Sequence, residues 1–289
     1  MSQILERHRT DDVGFRPTPA GRAFTTYVNH QIEAILAGDV GLRHGRDPIH
    51  DTRVAIRRLR STLRVFRPLL DGDAADRTEA DLKWFAGLLG EVRDCQVQGD
   101  RFAEALLGLP APLILGPVKS DIRNHLASVE RPARARVAEA MDTARYLSMM
   151  ADVRRWLTDP PAPTTFTVDD LVARANRAAR KADRRLARAV DGDDDAALHS
   201  ARKAAKRARY AAELVQPVKK SAKRKIKRYK EIQSVLGDHQ DTVVASDMLR
   251  RLGASMGAPA DRNGFTYGLL YAREETIARD CRRKAGRLD

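Results

Sequence analysis

His50-x-x-Arg53-x-x-x-Arg57-Arg58-x-Arg60 returns half a chain later as His199-x-x-Arg202-x-x-x-Lys206-Arg207-x-Arg209, with every interval between the basic residues kept. An arginine fork meets two phosphate oxygens at once and a lysine acts as a compact point charge, so such an array suits a polyanion, phosphate above all. At about 100° per residue, Arg53, Arg57, Arg60 and Arg64 fall within roughly 60° of one another on a helix, flanked by His50. Neighbours at these intervals sit about 5–6 Å apart, and the row repels itself until counter-charges arrive. His50 and His199 stand near predicted helix N-termini, where free backbone N–H groups and the dipole attract anions, and each imidazole can donate to a phosphate oxygen. Both histidines have a second reading, as structural residues bonded to a carboxylate such as Asp94 or Asp241.

A second pair of segments follows each array: Leu88-Leu89-Gly90-Glu91-Val92-Arg93-Asp94 and Val235-Leu236-Gly237-Asp238-His239-Gln240-Asp241. Lys83 and Lys230 each precede their glycine by seven residues. Asp94 and Asp241 either hold a divalent ion that bridges to phosphate or orient an arginine or histidine and cap a helix; orientation is the commoner role. The glycines permit a tight turn or a close helix approach. The run Lys219 to Lys230 is the densest cationic stretch in the chain, and Lys223, Lys227 and Lys230 are assigned to the same site.

These residues must be carried by helices. Ile56, Leu59, Leu63 and Phe66 occupy the arc beside the first basic stripe, giving a core face next to a wall of guanidinium groups, and Ala205, Ala208, Ala212 and Val215 take those places in the second copy. The offset between copies, 149 residues at the histidines and 147 at the glycines, marks a tandem duplication. A period this long fits two similar subdomains and not a solenoid. The chain is expected to be all-α, two antiparallel helical-bundle halves related by a pseudo-two-fold axis around a shared basic cleft. The halves cover 18–158 and 166–289, with a tail at 1–17 and a Pro-rich linker at 159–165. Helices are expected from Ala20 to Ala37, ending at Gly38 as C-cap, and from Asp47 as N-cap with Pro48 in the first turn to about Arg67. Further helices are expected from Asp73 to Leu88, from Asp94 to Leu107, between Leu113 and Leu157 with a break near Pro132, and from a Thr167 cap to Val190. The rest should cover His199 to Val215, Asp241 to Leu252 and Phe265 to Lys284.

Composition narrows the function. The chain has 289 residues, 53 Lys plus Arg against 39 Asp plus Glu, a formal charge of +14 and a pI near 10.2, which points to nucleic acid, another polyphosphate or an anionic surface. Aromatics make up 5%, too few for a single-strand nucleic-acid binder that stacks bases. No apolar run long enough to span a membrane occurs and the stretch Met1 to Arg16 carries frequent charges, so neither membrane insertion nor a signal peptide is expected and a cytoplasmic location is. Cys95 and Cys281 suit reduced thiols. There is no phosphate loop, no His-Glu-x-x-His and no nucleophile elbow, and the remaining histidines lack metal-ligand spacing. No metal, no cofactor and no catalysis are expected.

The two His-Arg/Lys helices and the Leu-Gly-x-x-x-Asp segments after them resemble the CHAD family, the conserved histidine α-helical domains, from about Thr18 to the C-terminus. The resemblance implies two four-helix bundles about a pseudo-two-fold axis, with basic side chains around a cleft or pore that binds inorganic polyphosphate, often at polyphosphate granules. It places His50, Arg53, Arg57, Arg58 and Arg60, and His199, Arg202, Lys206, Arg207 and Arg209, at the family's basic positions, with Lys83 and Lys230 in the second motif. Arg93 is answered by Gln240 and Arg64 by Glu213, so unequal halves are expected. Many relatives carry an N-terminal triphosphate-processing domain; about seventeen residues stand there here, so no hydrolase activity is expected. The leading reading is a non-catalytic polyphosphate-binding protein. Its rivals are an architectural nucleic-acid binder and a metal-dependent polyphosphate or triphosphate hydrolase using Asp94 and Asp241.

Overall fold

The computed structural model describes residues 18–70, 72–161, 166–192, 194–254 and 264–289; the tail and most of the linker at 162–165 lie outside the described residues. The described residues form nine α-helices and two short 3-10 turns, with no strand among them. They are α1 (Pro19–Arg43), α2 (Ile49–Phe66), α3 (Gly72–Leu107), α4 (Val118–Met141), α5 (Ala144–Arg155), α6 (Val168–Val190), α7 (Asp195–Val215), α8 (Ala222–Ala254) and α9 (Phe265–Gly286). The all-α expectation holds. None of these helices is long and apolar enough to cross a membrane.

Periodicity located the helices better than their ends. Thr167 caps α6 through a full capping box with Asp170, as expected of a Thr followed three residues on by an acid. Asp47, the expected cap of α2, instead accepts from Gln96 Nε2 and Arg134 Nη2 at 2.8 and 2.9 Å, and Pro48 holds the cap position with no side-chain bond. Helix α1 does not stop at Gly38 but runs on to Arg43. A Cβ at Gly38 would lie 2.1 Å from Thr52 Oγ1, so that glycine brings α2 close and ends nothing. Similarly, Gly90 and Gly237 sit inside two uninterrupted helices of 36 and 33 residues, where separate helices were expected on either side of Gly90 and a helix only from Asp241 in the second copy. Pro132 is also internal to α4; the break falls at Asp142 and Thr143, where Thr143 Oγ1 accepts from the Tyr146 backbone N–H.

Buried apolar side chains form three clusters, and two of them join the N- and C-terminal parts of the chain. The largest unites Phe24, Ile32, Ile56, Leu59, Phe66 and Leu89 with Leu171, Ala211, Leu214 and Val215. Another joins the C-terminal end of α3 and the start of α4, through Phe102, Leu106 and Val118, to Leu249, Tyr267 and Leu270 of α8 and α9. The third lies within α6 to α9 and is built on alanines of α6 and α7, whose small side chains let the helices approach closely. Near the shared cluster of α3 and α9, Arg101 Nε donates to the fully buried Glu274 at 2.7 Å and Arg273 Nη1 reaches its other oxygen at 2.9 Å. Glu274→Ala leaves two cations facing an apolar seam, and an expected loss of about 3 kcal/mol follows from stranding one partner of a buried pair. A urea midpoint that does not move would show that the pair carries no stability.

Candidate functional site

Helices α2 and α7 lie against each other, and a cavity of about 750 Å³ opens where their basic faces meet α3 and α8. Helix α2 lines it with His50, Arg53, Arg57, Arg60 and Arg64, and α7 with His199, Arg202, Lys203, Lys206 and Arg207. Lys83, Arg93 and Asp94 enter from α3, and Gln233, Gln240 and Asp241 from α8. From His50 to Arg64 the lining spans roughly 21 Å of helix at about 1.5 Å per residue. The repeated cations thus share one concavity, although their helices begin 146 residues apart.

Repetition of the glycines has a side-chain explanation. A Cβ at Gly90 would stand 3.2 Å from Arg53 Nη2, and one at Gly237 would stand 3.3 Å from Arg202 Nη2. Each guanidinium therefore lies flat against a helix where a side chain is missing. Arg53 Nη1 also donates to Asp94 Oδ1 at 3.2 Å, the orienting arrangement expected of this carboxylate. Its counterpart differs. Asp241 makes no ion pair within 4 Å among the described residues, and burial raises its carboxyl pKa while Arg202 opposes the rise.

Arg57 is fixed by Nε donating to Tyr210 Oη at 3.0 Å, a positioning contact across α2 and α7 that the intervals did not reveal. Arg60 and Arg64 share one acceptor, Glu79 Oε1, at 2.8 and 2.9 Å, so a single carboxylate answers two cations. Neither histidine is bonded to Asp94 or Asp241. His50 is exposed at the rim, whereas His199 stands beside Gln240 and its pKa is lowered by burial and then by Lys203. The buried His199 Nδ1 and Arg202 Nε have no hydrogen-bond partner among the described residues.

Repulsion is stored in α7. Burial, followed by Arg202, Arg57 and Arg53, lowers the Lys206 pKa to about 7. The same desolvation heads the causes that lower Arg202, Arg207 and Arg60, each of which remains protonated at neutral pH because arginine starts so high. A site that holds ammonium and guanidinium groups this close, with two carboxylates on its walls, is short of negative charge.

Five of the residues assigned from sequence do not line the cavity. Arg58 and Arg209 converge on Glu213, at 3.3 and 2.8 Å, with Tyr27 Oη donating to the same carboxylate at 3.1 Å. Arg58 is held by Glu213, although its counterpart Arg207, at the same angle around α7, lines the cavity. Arg209 lies on its stripe but is drawn to Glu213, four residues on, and to Gln233 Oε1 at 3.3 Å. Lys223, Lys227 and Lys230 are exposed on α8, N-terminal to the turn where Gln233 meets the cavity. Lys230 therefore does not match Lys83, and Lys203, one residue beyond Arg202, contributes in a way the stripe did not indicate.

Comparison with known proteins agrees with this arrangement of helices. The CHAD domain model matches residues 26–250. Two uncharacterized proteins of Mycobacterium tuberculosis are each 30% identical over 98% of the chain, which spans 55% of their length. Among solved structures, PptA from Streptomyces chartreusis superposes with a TM-score of 0.77 over 94% of this chain and 99% of its own, at 22% identity. The CHAD domain from the plant Ricinus communis superposes with a TM-score of 0.69 over 92% of both chains, at 25% identity.

Proposed function

The chain belongs to the CHAD domain family, a family associated with polyphosphate binding, and on that premise we propose that it grips a linear inorganic polyphosphate between two basic helical halves without hydrolysing it. The halves are read as a pseudo-two-fold pair, and polyphosphate granules are the proposed place of action. One observation carries the reading: matched cation rows of α2 and α7 line a single cavity that has too few carboxylates to balance them. A chain of phosphates supplies that missing charge at a regular spacing.

The cavity lining favours an inorganic chain over nucleic acid. No Phe, Tyr or Trp lines the cavity on which a base could stack. Asp94 is engaged in contact with Arg53, which supports orientation over metal binding at that carboxylate.

Isothermal titration of the full chain with polyphosphate is the direct test. By analogy with single-stranded nucleic acid, log affinity should fall with log salt at a slope near −0.7 per phosphate neutralised, and a flat salt dependence would remove the electrostatic basis of the reading. Polyphosphate should also displace duplex DNA at matched phosphate concentration, while no phosphate should appear with magnesium or manganese added. DNA that resists displacement would transfer the site to nucleic acid.

A further inference from the structure

We propose that the outward face of α6 is a second, exposed track for the same polyanion, joined to the cavity at Arg64 and Arg207, so that a chain seated inside leaves over the second half only. The inference rests on the polyphosphate reading above and extends it to ligand length and direction.

Arg177, Arg180, Lys181, Arg184, Arg185 and Arg188 fall within roughly 140° of one another on α6, opposite the buried Leu171, Ala175, Ala179, Ala182 and Leu186. An ordinary solvated face would intersperse acids at three- and four-residue intervals. Here no carboxylate stands within 4 Å of any of the six among the described residues, and the nearby Asp183 is occupied by Tyr229 and Arg228. Four pairs along this face (177/181, 180/184, 181/185 and 184/188) are like charges at i, i+4, an arrangement that weakens a helix standing in water alone.

The face adjoins the cavity, because α6 packs along α7 and touches α2. Arg207, which lines it, has its pKa lowered by burial and then by Arg185 and by Arg64, the last cation of the α2 row. Lys181 is lowered first by Arg185, then by burial and by Arg207. Arg64, Arg207, Arg185 and Lys181 thus repel one another in series where α6, α7 and α2 pack together.

The first half has no equivalent. The buried residues of α6 fall 151 positions after those of α1: Leu171 after Ala20, Ala175 after Phe24, Ala179 after Val28 and Leu186 after Ile35. By that alignment the basic face corresponds to Thr26, Asn29, His30, Glu33, Ala34 and Ala37. The repeat did not hand this face down to both copies, and it lies where the α2 row reaches furthest.

The test compares tripolyphosphate with long-chain polyphosphate on the full chain and on a variant carrying R177Q, K181Q, R184Q and R185Q, glutamine being a comparable helix former. Long-chain affinity should drop at least about tenfold and its salt slope should flatten by about 3, four contacts at roughly 0.7 each. Tripolyphosphate, short enough to stay in the cavity, should bind the variant as it binds the parent. Unchanged long-chain affinity and slope would overturn the track, as would an equal loss for both ligands, or a loss of duplex DNA binding with long-chain binding intact. A parent that binds neither phosphate ligand would overturn the underlying reading as well, and is distinguishable because the variant is then not needed.

Discussion

Alanine at Arg53, Arg57, Arg202 and Lys206 together is expected to abolish polyphosphate binding while the chain stays folded. Hydrogen bonds between charged groups are each worth about 1.5–3 kcal/mol, so removing four cations costs about 6 kcal/mol even at the low end, roughly four orders of magnitude in affinity. Structural losses are smaller. Arg53 gives up its contacts with the Gly90 carbonyl and the exposed Asp94, and Arg57 gives up Tyr210 Oη. Relief of repulsion among the four groups, all of which appear among the causes that hold the Lys206 pKa down or are held down themselves, acts in the opposite direction. Calorimetry paired with a circular-dichroism melt reads both. Retained affinity in a folded quadruple variant would sink the site, because these residues line the cavity from both rows.

Polyphosphate affinity is also expected to weaken on the order of tenfold between pH 7 and 8.5, through Lys206. Its ammonium has a pKa of about 7 in the free protein, below the unfolded value near 10.4, so the folded state holds fewer protons than the unfolded one between those limits. Stability of the free protein consequently rises with pH across that window, and the cost of the buried charge is present in full below pH 7. An anion in the cavity favours the protonated form, restores the pKa and draws in up to one proton per site. Binding is therefore strongest near and below pH 7 and is lost as pH climbs above it. Titrations in buffers of different ionisation enthalpy should reveal the proton taken up. Lys206→Arg should bind at every pH with no such slope, and Lys206→Met should bind weakly with none. His199 is separable, because its pKa is lowered from a value near 6.5 and its contribution falls in the acid range. A slope that persists in Lys206→Arg would assign the titration elsewhere.

Much of the molecule was legible before any coordinate. Apolar residues at three- and four-residue intervals placed the helices, and the conserved intervals between basic residues of the two copies placed the cations on one stripe of each, because a helix turns by the same angle wherever it occurs. Helix ends were harder. Gly38 looks like punctuation and Gly90 and Gly237 like a tight turn or a close approach, and the structure chose close approach by setting Thr52, Arg53 and Arg202 against them.

The chain by itself determined where positive charge stands on each helix; the tertiary structure decided which of those charges are free. Arg58 and Arg209 carry the same side chain as Arg53 and Arg57, but Glu213 lies between them, and its distance from Arg58 along the chain hides the pairing. Lys206 is an ordinary lysine until α2 brings Arg53 and Arg57 beside it and the core removes its water. Position on a helix is a local property with a fixed angular rule, whereas neutralisation and desolvation depend on groups that only folding brings within a few ångströms.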